Sequence, residues 1–228
     1  MIHQLIFAAP KPGMTEPEFQ DYWVNVHGKK YASKIPQIIR YAVDTRVDVG
    51  LHDNVPGWGG IAEIWLNNEE EQLASLQTPE FLDGARADEP RWAAFWLTLG
   101  LDTDTEVVIE GPLLRAETPE TKLFALLKRR EGMKLAEFRN NLRNQGDTHA
   151  AAIPNVLRYW QGFARDGMYG LGEAPLDAVL QLSFVDPKAA TAAIESDQFR
   201  KFIETTSVLG EPRYFRMIAA TQNWIIGP

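Results

Sequence analysis

The sequence predicts an α+β fold built from two tandem β-α-β-β-α-β units, residues 1–112 and 120–228. Three observations point there. The first is a set of paired landmarks. Gly13-Met14 and Glu18-Phe19 return as Gly132-Met133 and Glu137-Phe138, an offset of 119. Ile35-Pro36 and Arg40-Tyr41 return as Ile153-Pro154 and Arg158-Tyr159, an offset of 118, as does Phe81 to Phe199. Glu89-Pro90-Arg91-Trp92 reads as the counterpart of Glu211-Pro212-Arg213-Tyr214, an offset of 122. The second observation is that short β-rich apolar runs and helical patterns follow one another in the same order in both copies. The third is composition: 228 residues, 45% hydrophobic and 24% charged, the balance of a globular chain.

Taken in order, residues 2–9 and their partner 121–129 read as first strands. A helix follows, opened by Thr15 with Glu18 as a capping box and Pro17 in the first turn, and it runs towards Ser33 until Pro36 interrupts it. Second strands are expected from Ile39 and over 156–163, and third strands over 60–66 and 177–184. Second helical regions span 69–88 and 187–209, and last strands 105–110 and 221–226. The linker, 111–120, is rich in Pro, Glu and Thr and should be extended. This order is the ferredoxin-like split βαβ unit. Helices on one face of a four-stranded sheet leave the other face open, so the two halves should cover each other sheet to sheet as an intramolecular barrel.

Composition removes whole classes of chemistry. With no cysteine, disulfides, thiolate nucleophiles and cysteine-bound metals are excluded. A net charge of −8 argues against nucleic acid, and Lys128-Arg129-Arg130 reads as a solvated strand end. No run is long enough for a membrane helix and no leader pattern occurs, so a cytoplasmic location is expected. Histidines at 3, 27, 52 and 149 lack zinc spacing, and Asp102, Asp104 and Glu106 read as solvated loop rather than metal ligands. Neither Gly57-Trp58-Gly59-Gly60 nor Gly170-Leu171-Gly172 opens a helix after a strand, and no nucleophile elbow is present. Neither a cofactor nor a metal is called for.

The residues left for chemistry centre on the first helix. Phe19, Trp23 and His27 are spaced by four and share one apolar face turned towards the sheet. His27 is either a core histidine held by a backbone carbonyl or a proton-transferring imidazole in a pocket between helix and sheet. The second copy lacks it: Gln145 and Gly146 stand there, Leu142 replaces Trp23, and His149 lies a turn further on, at a surface, a hinge or the rim of a pocket. In the third strand Ile61, Glu63 and Trp65 share one face, with Gln181 as the copy of Glu63. Glu63 is thus an edge charge or a desolvated base. Tyr41 offers a hydroxyl to a substrate carbonyl or is a core aromatic. The catalytic candidates are therefore His27, Tyr41 and Glu63, with Tyr22, Trp23, Arg40, Trp65 and His149 as substrate contacts.

The run from Gly13-Met14-Thr15 through Phe19, Trp23 and His27 to Ile35-Pro36 and Arg40-Tyr41 resembles the EthD family of the dimeric α+β barrel superfamily. Residues 62–66 and Thr78-Pro79-Glu80-Phe81 also look like that family's third strand and second helix. The resemblance implies a barrel of two ferredoxin-like sheets. It does not fix the reaction, because such relatives include cyclases, decarboxylases, isomerases, cofactor-free monooxygenases and haem enzymes. The expected function is proton-transfer chemistry without a cofactor, as a lyase, isomerase or cyclase, on a small apolar oxygenated metabolite. The alternatives are a binding protein for a hydrophobic compound and, third, a haem protein with an axial histidine. Whole chains have room to pair as homodimers.

Overall fold

The structure, a computed structural model, describes residues 1–51, 57–170 and 172–228, with the side chains of 146–148 left aside. His52 and Leu171 lie outside the described residues. The first half comprises β1 (Ile2–Ala8), α1 (Glu16–Tyr22), β2 (Arg40–Arg46), β3 (Gly60–Leu66), α2 (Glu69–Ser75), α3 (Arg86–Asp88) and β4 (Leu99–Ile109). The second half comprises β5 (Thr121–Leu127), α4 (Leu135–Ala150), β6 (Arg158–Ala164), β7 (Ala178–Phe184), α5 (Pro187–Ile194), α6 (Asp197–Ser207) and β8 (Arg216–Ile226). α1 starts as its sequence dictates: Thr15 caps the Glu18 amide, and Glu18 returns the bond to the Thr15 amide at 2.8 Å.

All eight strands form one closed antiparallel barrel in the order β1-β3-β2-β8-β5-β7-β6-β4. The halves cover each other by joining edges: β2 pairs with β8 and β4 with β6, which leaves no free sheet edge. Both seams carry the same irregularity. The β2–β8 register shifts between Tyr41 and Ala42, and the β4–β6 register between Val107 and Ile109, where Tyr159 and Trp160 oppose them. Tyr41 corresponds to Tyr159 and Ile226 to Ile109, so the seams are related by a pseudo-twofold axis.

Alternation along the strands divides the interior from the helix side. Leu5, Phe7, Ile61, Leu101, Phe124, Leu126 and Ile218 fill the lumen as one cluster. Each half has a further core between sheet and helices, around Phe19, Trp23 and Trp92 in the first and Phe138, Leu142 and Phe202 in the second. The lumen also holds a polar group at its middle. Lys122 reaches both Glu63 and, at 3.2 Å, Asp44, while Glu63 accepts from Gln181 and bonds His3, each at 2.9 Å.

Several expectations change. The last strands start earlier than predicted, at Leu99 and Arg216, because they must span the barrel to pair with β1, β6, β2 and β5. Asp102, Asp104 and Glu106 therefore lie in β4, not in a loop. Their partners are Gln4 and Gln72 for Asp102, Arg165 for Asp104 and Arg143 for Glu106. Lys128 and Arg129 are not a solvated end either, since both pair with the buried Asp177. The offset of 122 also fails. The Pro10–Ala93 bridge matches the Arg129–Gly210 bridge, and β4 matches β8 at 117, so Glu211-Pro212-Arg213-Tyr214 is not the counterpart of Glu89-Pro90-Arg91-Trp92.

The corrected offset falls steadily: 119 at Phe19, 118 at Ile35 and Phe81, 117 at Ala93. Each step spans a widened, π-helical stretch of the first half, Trp23–Tyr31 and Glu80–Ala85. The counterpart helices α4 and α6 are α-helical throughout. A π turn accommodates one extra residue, which is what each step counts. Both widened segments flank the same cavity.

Candidate active site

That cavity lies between the first sheet and the helical layer and encloses about 540 Å³ of unfilled space, part of it open to solvent. Ile6, Ala8, Ala62 and Ile64 form its floor on the sheet, and Ile35, Ile38, Phe81 and Ala85 its walls. Into this apolar surface the widened turn of Trp23–Tyr31 delivers His27, 7% exposed. Trp92 lies against the imidazole, ring centroids 4.6 Å apart, and against Trp23 at 4.9 Å.

His27 is held by a carboxylate rather than by backbone. Its Nδ1 lies 3.0 Å from Asp88 Oδ2, at the end of α3 and 1% exposed. The Tyr22 hydroxyl donates to the other oxygen, Oδ1, at 2.9 Å, and exposed Arg91 approaches that oxygen at 3.4 Å. An ionised carboxylate accepts from both neighbours only if Nδ1 carries the imidazole proton. Nε2 is then the basic nitrogen, and it has no partner among the described residues. Burial pushes the His27 pKa below its ordinary 6.5, and the opposing pull of Asp88 does not restore it. The ring is therefore neutral and basic at neutral pH.

The other lining groups are donors. Burial drives the Tyr41 hydroxyl far above the usual tyrosine range, so it stays protonated. Trp92 Nε1 and Thr98 Oγ1 are buried with no partner among the described residues, although buried polar atoms are normally satisfied. Glu89 also lines the cavity, and burial raises its pKa against the pull of Arg86.

Of the residues singled out from sequence, His27, Trp23 and Tyr41 come together here, and Tyr22 stands behind Asp88. Glu63, Trp65 and Arg40 do not. Ala62 and Ile64 face the cavity, so Glu63, between them in β3, faces the lumen. It is neither an edge charge nor a free base: burial alone would raise its pKa, but Lys122 and His3 outweigh that and hold it well below the ordinary value. Trp65 and Arg40 line the mouth of the lumen instead. His149 sits half-buried near the end of α4 and does not line this cavity. In the second half the equivalent space is filled, with Phe202 edge-on against Tyr159, the counterpart of Tyr41, at 5.6 Å.

Asp88, Trp92 and Thr98 were not found from sequence. Asp88 lies 61 residues from His27, and the widened turns between break the 3.6-residue period by which a buried face is recognised. The one available signal was a lone aspartate ending a helical run just before Glu89-Pro90.

Residues 11–95, which hold both His27 and Asp88, match the EthD domain model. That match lies within the first half of the chain and stops short of the second. No curated protein matches the sequence. Among solved structures, an anthrone oxidase-like protein superposes with a TM-score of 0.66 at 12% identity, covering 98% of this chain and 90% of its own. A candidate monooxygenase from Fusobacterium nucleatum gives 0.57 at 11% identity, covering 98% and 92%. One from Lactobacillus acidophilus gives 0.54 at 12% identity, covering 98% and 93%. At these identities the likeness is one of fold, the α+β barrel.

Proposed function

We propose that the EthD half is an enzyme in which His27 removes a proton from a small, largely apolar, oxygenated substrate. The observation that carries this reading is the His27–Asp88 pair, a neutral imidazole whose Nδ1 is fixed by a buried carboxylate and whose Nε2 meets an apolar cavity. Proton abstraction next to a carbonyl, or from a phenol, needs a base with a pKa near the working pH and donors for the oxyanion that forms. Tyr41, Trp92 Nε1 and Thr98 Oγ1 are the donors at hand. A lyase, isomerase or cyclase reaction would end by returning that proton through the same nitrogen. The solved neighbour named as anthrone oxidase-like suits a substrate of this kind, a flat ketone with an acidic methylene.

A carrier that only binds a hydrophobic compound would need no oriented base, and an imidazole bonded to backbone would serve it. The carboxylate at Nδ1 favours catalysis. His27→Ala should lower turnover of phenolic, polyketide or lactone substrates by ~10²–10⁴-fold, measured with chelator present, while thermal stability falls modestly. Normal turnover in that variant, or turnover of the native protein only when metal or flavin is added, would overturn the reading. Because the same free Nε2 could ligate a haem iron, an absorption spectrum with and without added haem belongs in the experiment; a Soret band on the native protein counts against the proton-transfer reading.

A further inference from the structure

A second cavity opens at one end of the barrel lumen and encloses about 1450 Å³ of unfilled space, part of it open to solvent. Its wall is built by register. His3 and Arg40 are both paired with Trp65, from β1 and β2, so the three side chains share the lumen face. His3 and Trp65 stack at 4.5 Å and 7°, and Trp160 of β6 meets His3 edge-on at 6.1 Å. Both nitrogens of His3 are engaged, Nε2 with Glu63 and Nδ1 with Thr105, so it serves as wall rather than as base. Trp160 Nε1 is buried with no acceptor among the described residues.

The pseudo-twofold axis supplies the decisive contrast. Arg40 and Arg158 are counterparts, at an offset of 118, and both line this mouth. Arg158 is fully engaged: it bonds Glu120 at 2.7 and 2.8 Å and the carbonyls of Glu110 and Pro112, each at 2.6 Å, which ties the linker across the opening. Arg40 has no hydrogen-bond or ion-pair partner among the described residues, and it is half-buried beside indole rings. A guanidinium in that position favours a planar anion, which it can grip through two parallel N–H bonds. We propose that the barrel mouth is a second ligand site, separate from the His27 cavity, for a flat aromatic carboxylate. The ring lies against Trp160, along the edge of the stack that Trp65 makes with His3 and Trp224, and the carboxylate pairs with Arg40.

Calorimetric titration of the full chain with 2-naphthoate tests this, with 2-naphthalenemethanol as the uncharged comparison. Naphthoate should bind saturably and at least about tenfold more tightly than the alcohol, the scale of one charge-assisted contact. Arg40→Met should remove that preference. Val107→Trp, at an exposed rim position, should block the mouth without touching the core. Ala85→Leu, which narrows the His27 cavity, should leave naphthoate binding unchanged. The proposal is overturned if naphthoate does not saturate below millimolar concentration or if the alcohol binds equally well. It is also overturned if affinity survives Val107→Trp but is lost in Ala85→Leu. Should Arg40→Met fail to fold, the ligand comparison on the native chain and the Val107→Trp variant still decide.

Discussion

At the scale of single residues, the pairing of His27 with Asp88 makes a definite statement about pH. The imidazole titrates at 6.5 when unfolded and lower when folded, because burial outweighs Asp88. Below 6.5 the unfolded chain therefore binds a proton that the native state resists. The stability contributed by the buried neutral ring is fully present above 6.5 and is lost as pH falls through the folded value. Activity follows the same group: turnover should be flat above neutrality and fall on acidification, with an inflection below 6.5. Asp88→Asn removes the charge that raises the pKa and turns one of the two acceptor oxygens into a donor amide, so the carboxylate no longer fixes the tautomer. The inflection should move further down, and kcat should drop by roughly 10²-fold or more with KM little changed. A kcat–pH profile of both proteins checks this. A variant whose kcat and inflection match those of the native protein would leave Asp88 a structural residue only.

At the scale of elements, the strands and their order were legible from sequence, whereas the helices over the site were not. Period-two patterns and β-branched runs placed β1, β3, β5 and β7 within a residue or two. Alternation also divided β3 correctly into Ile61-Glu63-Trp65 and Ala62-Ile64-Leu66. Which of those faces meets the helices depends on how the sheet closes, and that information is absent from one strand's sequence, so Glu63 was grouped with His27. The helices failed for another reason. Phe19, Trp23 and His27 fit the ideal period, yet Trp23–Tyr31 is widened by one residue relative to α4, as is Glu80–Ala85 relative to α6. The drifting offset between the copies was the trace of those insertions, obscured by a coincidental Glu-Pro-Arg match. The widened turn is what carries His27 to Asp88, so deleting the exposed Asn25 should restore an α-helical turn. The deletion should keep the barrel's circular dichroism and rotate His27 off its partner, with turnover falling as far as in His27→Ala. Full activity after the deletion would show that the widened turn does not position the histidine.

At the scale of the whole molecule, the question is whether the first half could make this barrel with a second copy of itself. Edge pairing alone would permit it, since β2 and β4 would each find an equivalent partner. The lumen argues otherwise. Lys122 of the second half occupies the place that His3 has in the first, an offset of 119, and Gln181 that of Glu63, an offset of 118. In the native chain one lysine faces two fully buried carboxyls. Burial and the Glu63 charge raise the Asp44 pKa well above its usual value despite Lys122, while Lys122 and His3 hold that of Glu63 well below. A dimer of first halves would bury two copies each of Asp44 and Glu63 and no lysine. Each buried Glu63 would keep His3 but lose Lys122, and removing one partner of a buried ion pair costs several kcal/mol, a loss that would arise twice. Residues 1–112 expressed alone should therefore aggregate or associate loosely at neutral pH, with two open sheet edges and an apolar lumen face exposed. Added residues 120–228 should convert the fragment into a 1:1 complex with native circular dichroism and the elution volume of the full chain. The same carboxyls predict that acid, by protonating Glu63, favours self-pairing of the fragment relative to neutral pH. Size-exclusion chromatography with light scattering at both pH values reads all of this. A soluble, folded monomer of residues 1–112, or a tight homodimer at neutral pH, would show that Lys122 is not what commits the two halves to each other.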